Sequence, residues 1–141
     1  MVVLDTDHLS LLEWTNSPTA KKLMERLASV GSDNTFATIV SYEEQIRGWM
    51  SKLGKTKSVG EQIEAYRRLK QQLENYCSVS MLEFDERAAV EFQSLKRTKI
   101  KVATMDLKIA AIVIARKATL LSRNLSDFSQ IPGLMVEDWT K

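Results

Sequence analysis

The run MDLKIAAIVIARKATLLS, residues 105–122, constrains the fold more than any other part of the chain. Its uninterrupted apolar stretch, Ile109 to Ala115, makes a helix that is apolar nearly all round. Such a helix must be covered on every side and so has to sit centrally. A two-residue basic turn follows, and then "ATLLS", apolar without alternation, which reads as a strand buried on both faces. A second run of this kind, Val2–Asp5, starts the sequence. Thr35–Ile39 and Val79–Leu82 add two more strands, and "PGLMVEDW" closes with a turn and a last short strand. Between them lie helical segments. In "SPTAKKLMERLASVG", Ser17 caps, Pro18 takes the first helical position, Gly31 stops the helix, and Ala20, Leu23, Met24 and Leu27 form its apolar face. Ser41 opens another helix with Glu44 at capping-box spacing, and a third begins near Ser58, with Glu61 three residues on. Ile63, Tyr66, Leu69, Leu73 and Tyr76 form an apolar stripe on this third helix and are expected in the core, as are Met81 and Trp139. Asp85 and Thr104 are the expected caps of the next two helices. Strands alternating with helices specify an α/β sandwich with a central, mainly parallel sheet. The helices spanning about 41–76 form a protruding hairpin inserted into one domain of residues 1–141.

The 44% hydrophobic and 27% charged content is that of a globular chain with a real core. Net charge is only +2, so contact with a polyanion would depend on local basic patches. The single cysteine, Cys77, permits no intramolecular disulfide and no thiolate cluster, and a reducing cytoplasm is the expected setting. No apolar run reaches membrane-spanning length, and no secretory signal is expected.

Acidic residues follow the strands. Asp5 and Asp7 come directly after the first, Glu44 is expected in the first turn of the helix after the second, Asp106 in the first turn of the central helix, and Asn124 and Asp127 follow "ATLLS". In an open parallel sheet these positions share one edge, the edge where ligands bind. Like charges gathered in a partly desolvated cleft raise one another's pKa, and Mg²⁺ or Mn²⁺, which favour oxygen ligands, would relieve that cost. Each residue also has a plainer reading. Asp5 and Asp127 fit solvated loop acids and Asp7 a turn cap. Glu44 completes a capping box, and Asp106 suits the positive end of a helix dipole. The lone His8 fits a structural or near-site role better than a ligand in a carboxylate site.

The motifs "VVLDTDHLS", "IVSYEEQIRG" and "MDLKIAAIVIARKATLLSRNLSDFSQIPGLMVEDW" together resemble the PIN-domain ribonucleases, and within them the VapC-type toxins of bacterial toxin–antitoxin pairs. The likeness covers essentially the whole chain and implies a PIN-like α/β/α sandwich. It also implies metal-dependent cleavage of RNA with Mg²⁺ or Mn²⁺. By position it places the acidic site on Asp5, Glu44 and Asp106. A fourth contribution comes from the loop after Ser122, where many relatives have aspartate and this chain has Asn124, with Asp127 three residues on. Metal ligation is thus expected from Asp5, Glu44, Asp106 and Asp127, and catalysis from these together with Asn124. Asp7, where Asn is common, Ser122, Arg123 and Arg47 are expected near the site. Arg47, Lys52, Lys55, Lys57, Arg116, Lys117 and Arg123 are candidates for holding RNA phosphates. The resemblance further implies a homodimer and a cognate antitoxin, with the hairpin residues Tyr42, Trp49, Met50, Ile63 and Tyr66 as the contact surface. Two rivals stand beside this reading. One is a PIN-like binding module without activity, which Asn124 favours. The other is a haloacid-dehalogenase-type phosphatase, suggested by Asp5-x-Asp7 but lacking that family's downstream lysine and paired acids.

Overall fold

The computed structural model describes residues 1–13 and 16–141. Five strands, β1 (Val2–Leu4), β2 (Thr35–Thr38), β3 (Ser80–Leu82), β4 (Thr119–Leu121) and β5 (Met135–Glu137), form one sheet in the order β3-β2-β1-β4-β5. Every pairing is parallel. Between β1 and β4 the strand order reverses direction, which creates a switch point where the loops after both strands splay apart. Leu4 lies beside Leu121 in the register, so the residues after them, Asp5 and Ser122, leave the sheet at the same level.

Side chains alternate across the sheet and supply two cores. Val3 and Leu120 point to one side, against α5 (Glu86–Arg97) and α6 (Thr104–Ala115). Val2, Leu4 and Leu121 point to the other, against Leu9 of α1 (Thr6–Leu11), Leu23 of α2 (Pro18–Val30) and Trp139. Helix α6 is buried at seven positions, among them Ile109 and Ile112, as its uniform apolarity requires. Truncating either isoleucine to alanine would cost about 2–5 kcal/mol. Gly31 ends α2 at φ 91°, a backbone region that disfavours side chains, which explains the stop signal there.

Helices α3 (Ile39–Gly54) and α4 (Val59–Cys77) are joined by four residues and pack against each other as the expected hairpin. The base of α4 is tied back by Gln72 and Asn75, which both donate to Glu13 Oε1 at 2.9 and 2.6 Å. The expected core stripe on α4 is not a core. Tyr76 is buried and Leu69 half-buried, but Ile63, Tyr66 and Leu73 are each at least half exposed, because the hairpin stands away from the sheet and, among its described residues, α4 buries fully only Ala65, Gln72 and Tyr76. Met24 of α2 is likewise exposed, while Ala20 and Leu23 are buried. Two caps also differ. Thr38, the last residue of β2, caps α3, accepting from Ser41 N–H at 3.0 Å, so Ser41 lies inside the first turn. Ala103, not Thr104, is the cap of α6, and it offers no side-chain bond. The loop expected after Ser122 contains a one-turn helix, α7 (Leu125–Phe128).

Candidate active site

A pocket of about 230 Å³ opens at the strand ends and is lined by Asp5, Thr6, Asp7, Glu44, Asp106, Ile109, Asn124 and Phe128. Four chain segments therefore converge on it, each for a local reason. Asp5 is extended backbone at the end of β1 and caps α1, its Oδ1 accepting from His8 N–H at 2.9 Å. This cap belongs to Asp5, so Asp7 is left as an exposed first-turn acid at the rim. Glu44 is carried in by the second turn of α3. Its Oε1 accepts from the Thr6 hydroxyl at 2.9 Å, which ties α1 to α3 across the pocket. The capping-box reading of Glu44 is thereby excluded, since Thr38 and Ser41 serve that helix end. Asp106 enters from the first turn of α6.

On the fourth side, Ser122 is fully buried and its Oγ accepts from Asn124 N–H at 3.0 Å, which turns the chain sharply after β4. Asn124 faces the pocket and donates from Nδ2 to Asp127 Oδ2 at 3.1 Å. Asn124 thus reaches the pocket wall and holds Asp127 just behind it.

Electrostatics confirm that these acids share one environment. The Asp106 carboxyl is pushed up to about 6, first by burial and then by the negative charges of Glu44, Asp127 and Asp5. The buried Tyr76 hydroxyl is held above its ordinary value by burial and by Glu44, Asp5 and Glu13. No basic side chain among the described residues lines the pocket to offset this charge. Among the described residues no group of three or more His, Cys, Asp or Glu side chains stands close enough together to hold a metal ion as it is arranged. Mg²⁺ binds through one or two carboxylates and keeps several waters, so the acids here would supply only part of its shell and water the rest. The donors are all hard oxygens, which fits Mg²⁺ or Mn²⁺ rather than zinc.

The basic residues are less concentrated than expected. Arg123 is exposed beside Asn124, but Arg47 pairs with Glu43 at 2.7 Å. Lys52 lies over the Trp49 ring at 4.2 Å. Arg116 and Lys117 stand beyond the far end of α6, about 15 Å from Asp106 by helix rise, with Arg116 reaching Asp85 at 3.8 Å. Thr6 and the apolar walls Ile109 and Phe128 went unnoticed in the sequence. Thr6 had a signal, its place between two acids, whereas Phe128 becomes visible only once α7 is folded.

A family model for the PIN domain matches residues 2–134. Over 47 residues the chain is 38% identical to Ribonuclease VapC2 of Rickettsia felis, covering 33% of this chain and about a third (35%) of that protein. The structure of VapBC2 from Rickettsia felis, bound to a DNA fragment from their promoter, superposes with a TM-score of 0.72 at 21% identity over 99% of each chain. A toxin–antitoxin complex from Klebsiella pneumoniae gives 0.68 at 17% identity, covering 99% of this chain and 98% of that one. At these identities the structural likeness speaks for fold alone. With its sheet order, its acidic switch point and a family match across nearly its whole length, the chain belongs to the PIN-domain family.

Proposed function

We propose that this protein is a divalent-metal-dependent ribonuclease, acting in the cytoplasm as the toxin of a toxin–antitoxin pair. The observation that carries the reading is the pocket itself: oxygen donors from four segments and, among the described residues, no basic side chain in its lining. The match to a protein named as a ribonuclease supports it. Among the described residues no helix is long and apolar enough to cross a membrane.

Asp5, Glu44 and Asp106 would hold the ion, with Asp127 reaching it through the position Asn124 gives it. A bound Mg²⁺ or Mn²⁺ lowers the pKa of a water and polarises a scissile phosphate. The protein's part is orientation. The His8 amide fixes Asp5 and the Thr6 hydroxyl fixes Glu44, so neither carboxylate has to be ordered when substrate arrives. Ile109 and Phe128 exclude water from the inner wall. Arg123 is placed to contact the RNA backbone beside the acids, and Arg47 can do so by exchanging Glu43 for a phosphate. The exposed apolar residues of the hairpin, Met50, Ile63 and Tyr66, form the face for a second copy and for the antitoxin.

Total RNA incubated with the purified protein and Mg²⁺ or Mn²⁺ tests this directly, against EDTA, Asp5→Asn and Asp106→Asn. Discrete products that vanish in all three controls are expected. Cleavage that survives Asp106→Asn would overturn the assignment, as would a protein that neither cuts RNA nor binds metal.

A further inference from the structure

His8 is the protein's single histidine and is completely buried. It stands three residues after Asp5, and its ring lies between that carboxylate and the C-terminal segment. The backbone N–H of Trp139 donates to Nε2 at 3.3 Å. A nitrogen that accepts presents its lone pair, so the neutral ring carries its proton on Nδ1. Nδ1 has no hydrogen-bond partner among the described residues, and Asp5 Oδ1 lies 3.4 Å away. That same oxygen already takes the His8 backbone N–H. On the other side, Asp138 Oδ1 is 3.8 Å from Nε2, beyond hydrogen-bond reach, and is engaged by the backbone N–H and hydroxyl of Thr140. Trp139 is well anchored: it is buried with Leu4, Leu9 and Leu121, and the Arg26 guanidinium lies 4.4 Å from its ring centroid.

We infer that His8 is a positioning residue: the Trp139 amide holds it in the Nδ1–H tautomer, and that proton sets the carboxylate of Asp5 for its role in the pocket. A buried donor left without a partner costs free energy, so the ring gains when Asp5 rotates its Oδ1 toward Nδ1. Once that rotation gives Oδ1 both donors, Oδ2 is the oxygen left for an ion. The C-terminal segment, remote in sequence, thereby acts on the site through a single ring.

This inference rests on the reading of Asp5 as a metal ligand, and its test separates the two. Nitrogen-15 NMR of the wild-type protein, which needs no substitution, should show the Nδ1–H tautomer and a shift of the Nδ1 signal on Mg²⁺ titration. Mn²⁺ affinity, followed by electron paramagnetic resonance, should then be compared in two variants whose folding is checked by thermal melts. His8→Asn keeps a donor near the Nδ1 position and should bind within about threefold of wild type. His8→Gln moves its amide toward the Nε2 position and should lose about tenfold or more, the usual effect of removing a partner that orients a ligand. An Nε2–H tautomer, an Nδ1 signal indifferent to Mg²⁺, or a His8→Gln variant that binds like wild type would each overturn it. Unchanged Mn²⁺ affinity in Asp5→Asn would instead sink the ligand reading on which it stands.

Discussion

The carboxyl of Asp106 meets three other acids from a partly buried wall, and its proton affinity records that crowding. With its pKa raised from 3.8 to about 6, the folded chain binds this proton more tightly than the unfolded chain does. The sign follows from linkage: between about pH 4 and pH 6 the folded form holds more protons, so rising pH removes stability from the metal-free protein. An ion competes with that same proton. Mn²⁺ affinity should therefore fall about tenfold from pH 7 to pH 5, since only about a tenth of a carboxyl with pKa near 6 is ionised at pH 5. Calorimetric titration at the two pH values checks this, and an affinity independent of pH would remove Asp106 from the binding site. The position of Asp106 in a first helical turn was legible in the sequence. Its altered proton affinity was not, because that depends first on burial in the folded pocket and then on Glu44, Asp127 and Asp5, brought beside it by three other segments.

Helix α3 shows how an element's boundary decides the meaning of a residue within it. Ser41 and Glu44 have the spacing of a capping box, and the spacing alone gives no reason to start the helix earlier. Strand β2, however, ends at Thr38, and the buried Thr38 and Ser41 hydroxyls bond each other at 3.1 Å. That pairing closes the helix end and moves Glu44 into the second turn, where it is free to meet Thr6. Stability and function should separate accordingly. Thr38→Ala should cost about 1–2 kcal/mol through the lost cap, measured by urea denaturation. Glu44→Gln should change stability by less than about 0.5 kcal/mol while abolishing RNA cleavage. Because glutamine also completes a capping box, that role is tested by Glu44→Ala, where a stability loss of about 1 kcal/mol or more would restore it. The short helices α1 and α7 escaped sequence reading for a related reason. At six and four residues they are too short to show an apolar period, and the polar residues at their starts read equally well as turns.

The layered architecture follows from a few patterns. Two strands apolar on both faces and one helix apolar all round admit little other than a covered parallel sheet. Acids placed after successive strands must then share an edge. The apolar period of α4 was equally visible, but a period reports burial without saying against what. Val59, Ile63, Tyr66 and Leu73 fall within an arc of about 80° at 100° per residue, and all four are half or more exposed. Together with Met50 they give the protruding hairpin an apolar stripe that nothing in this chain covers among the described residues. Side chains so exposed contribute little to the fold, so replacing them should leave the melting temperature nearly unchanged. Their loss should be felt in association instead. The double substitution Ile63→Glu/Tyr66→Glu places two like charges in the stripe and should weaken self-association at least about tenfold, or about 1.4 kcal/mol. Sedimentation velocity over a concentration series reads this directly, with thermal melts confirming an intact fold. If wild type and variant dissociate at the same concentration, the proposed dimer is not built on this face. The stripe would then be left to the proposed antitoxin alone, and loss of capture of a co-expressed antitoxin by the variant is the outcome expected of that arrangement.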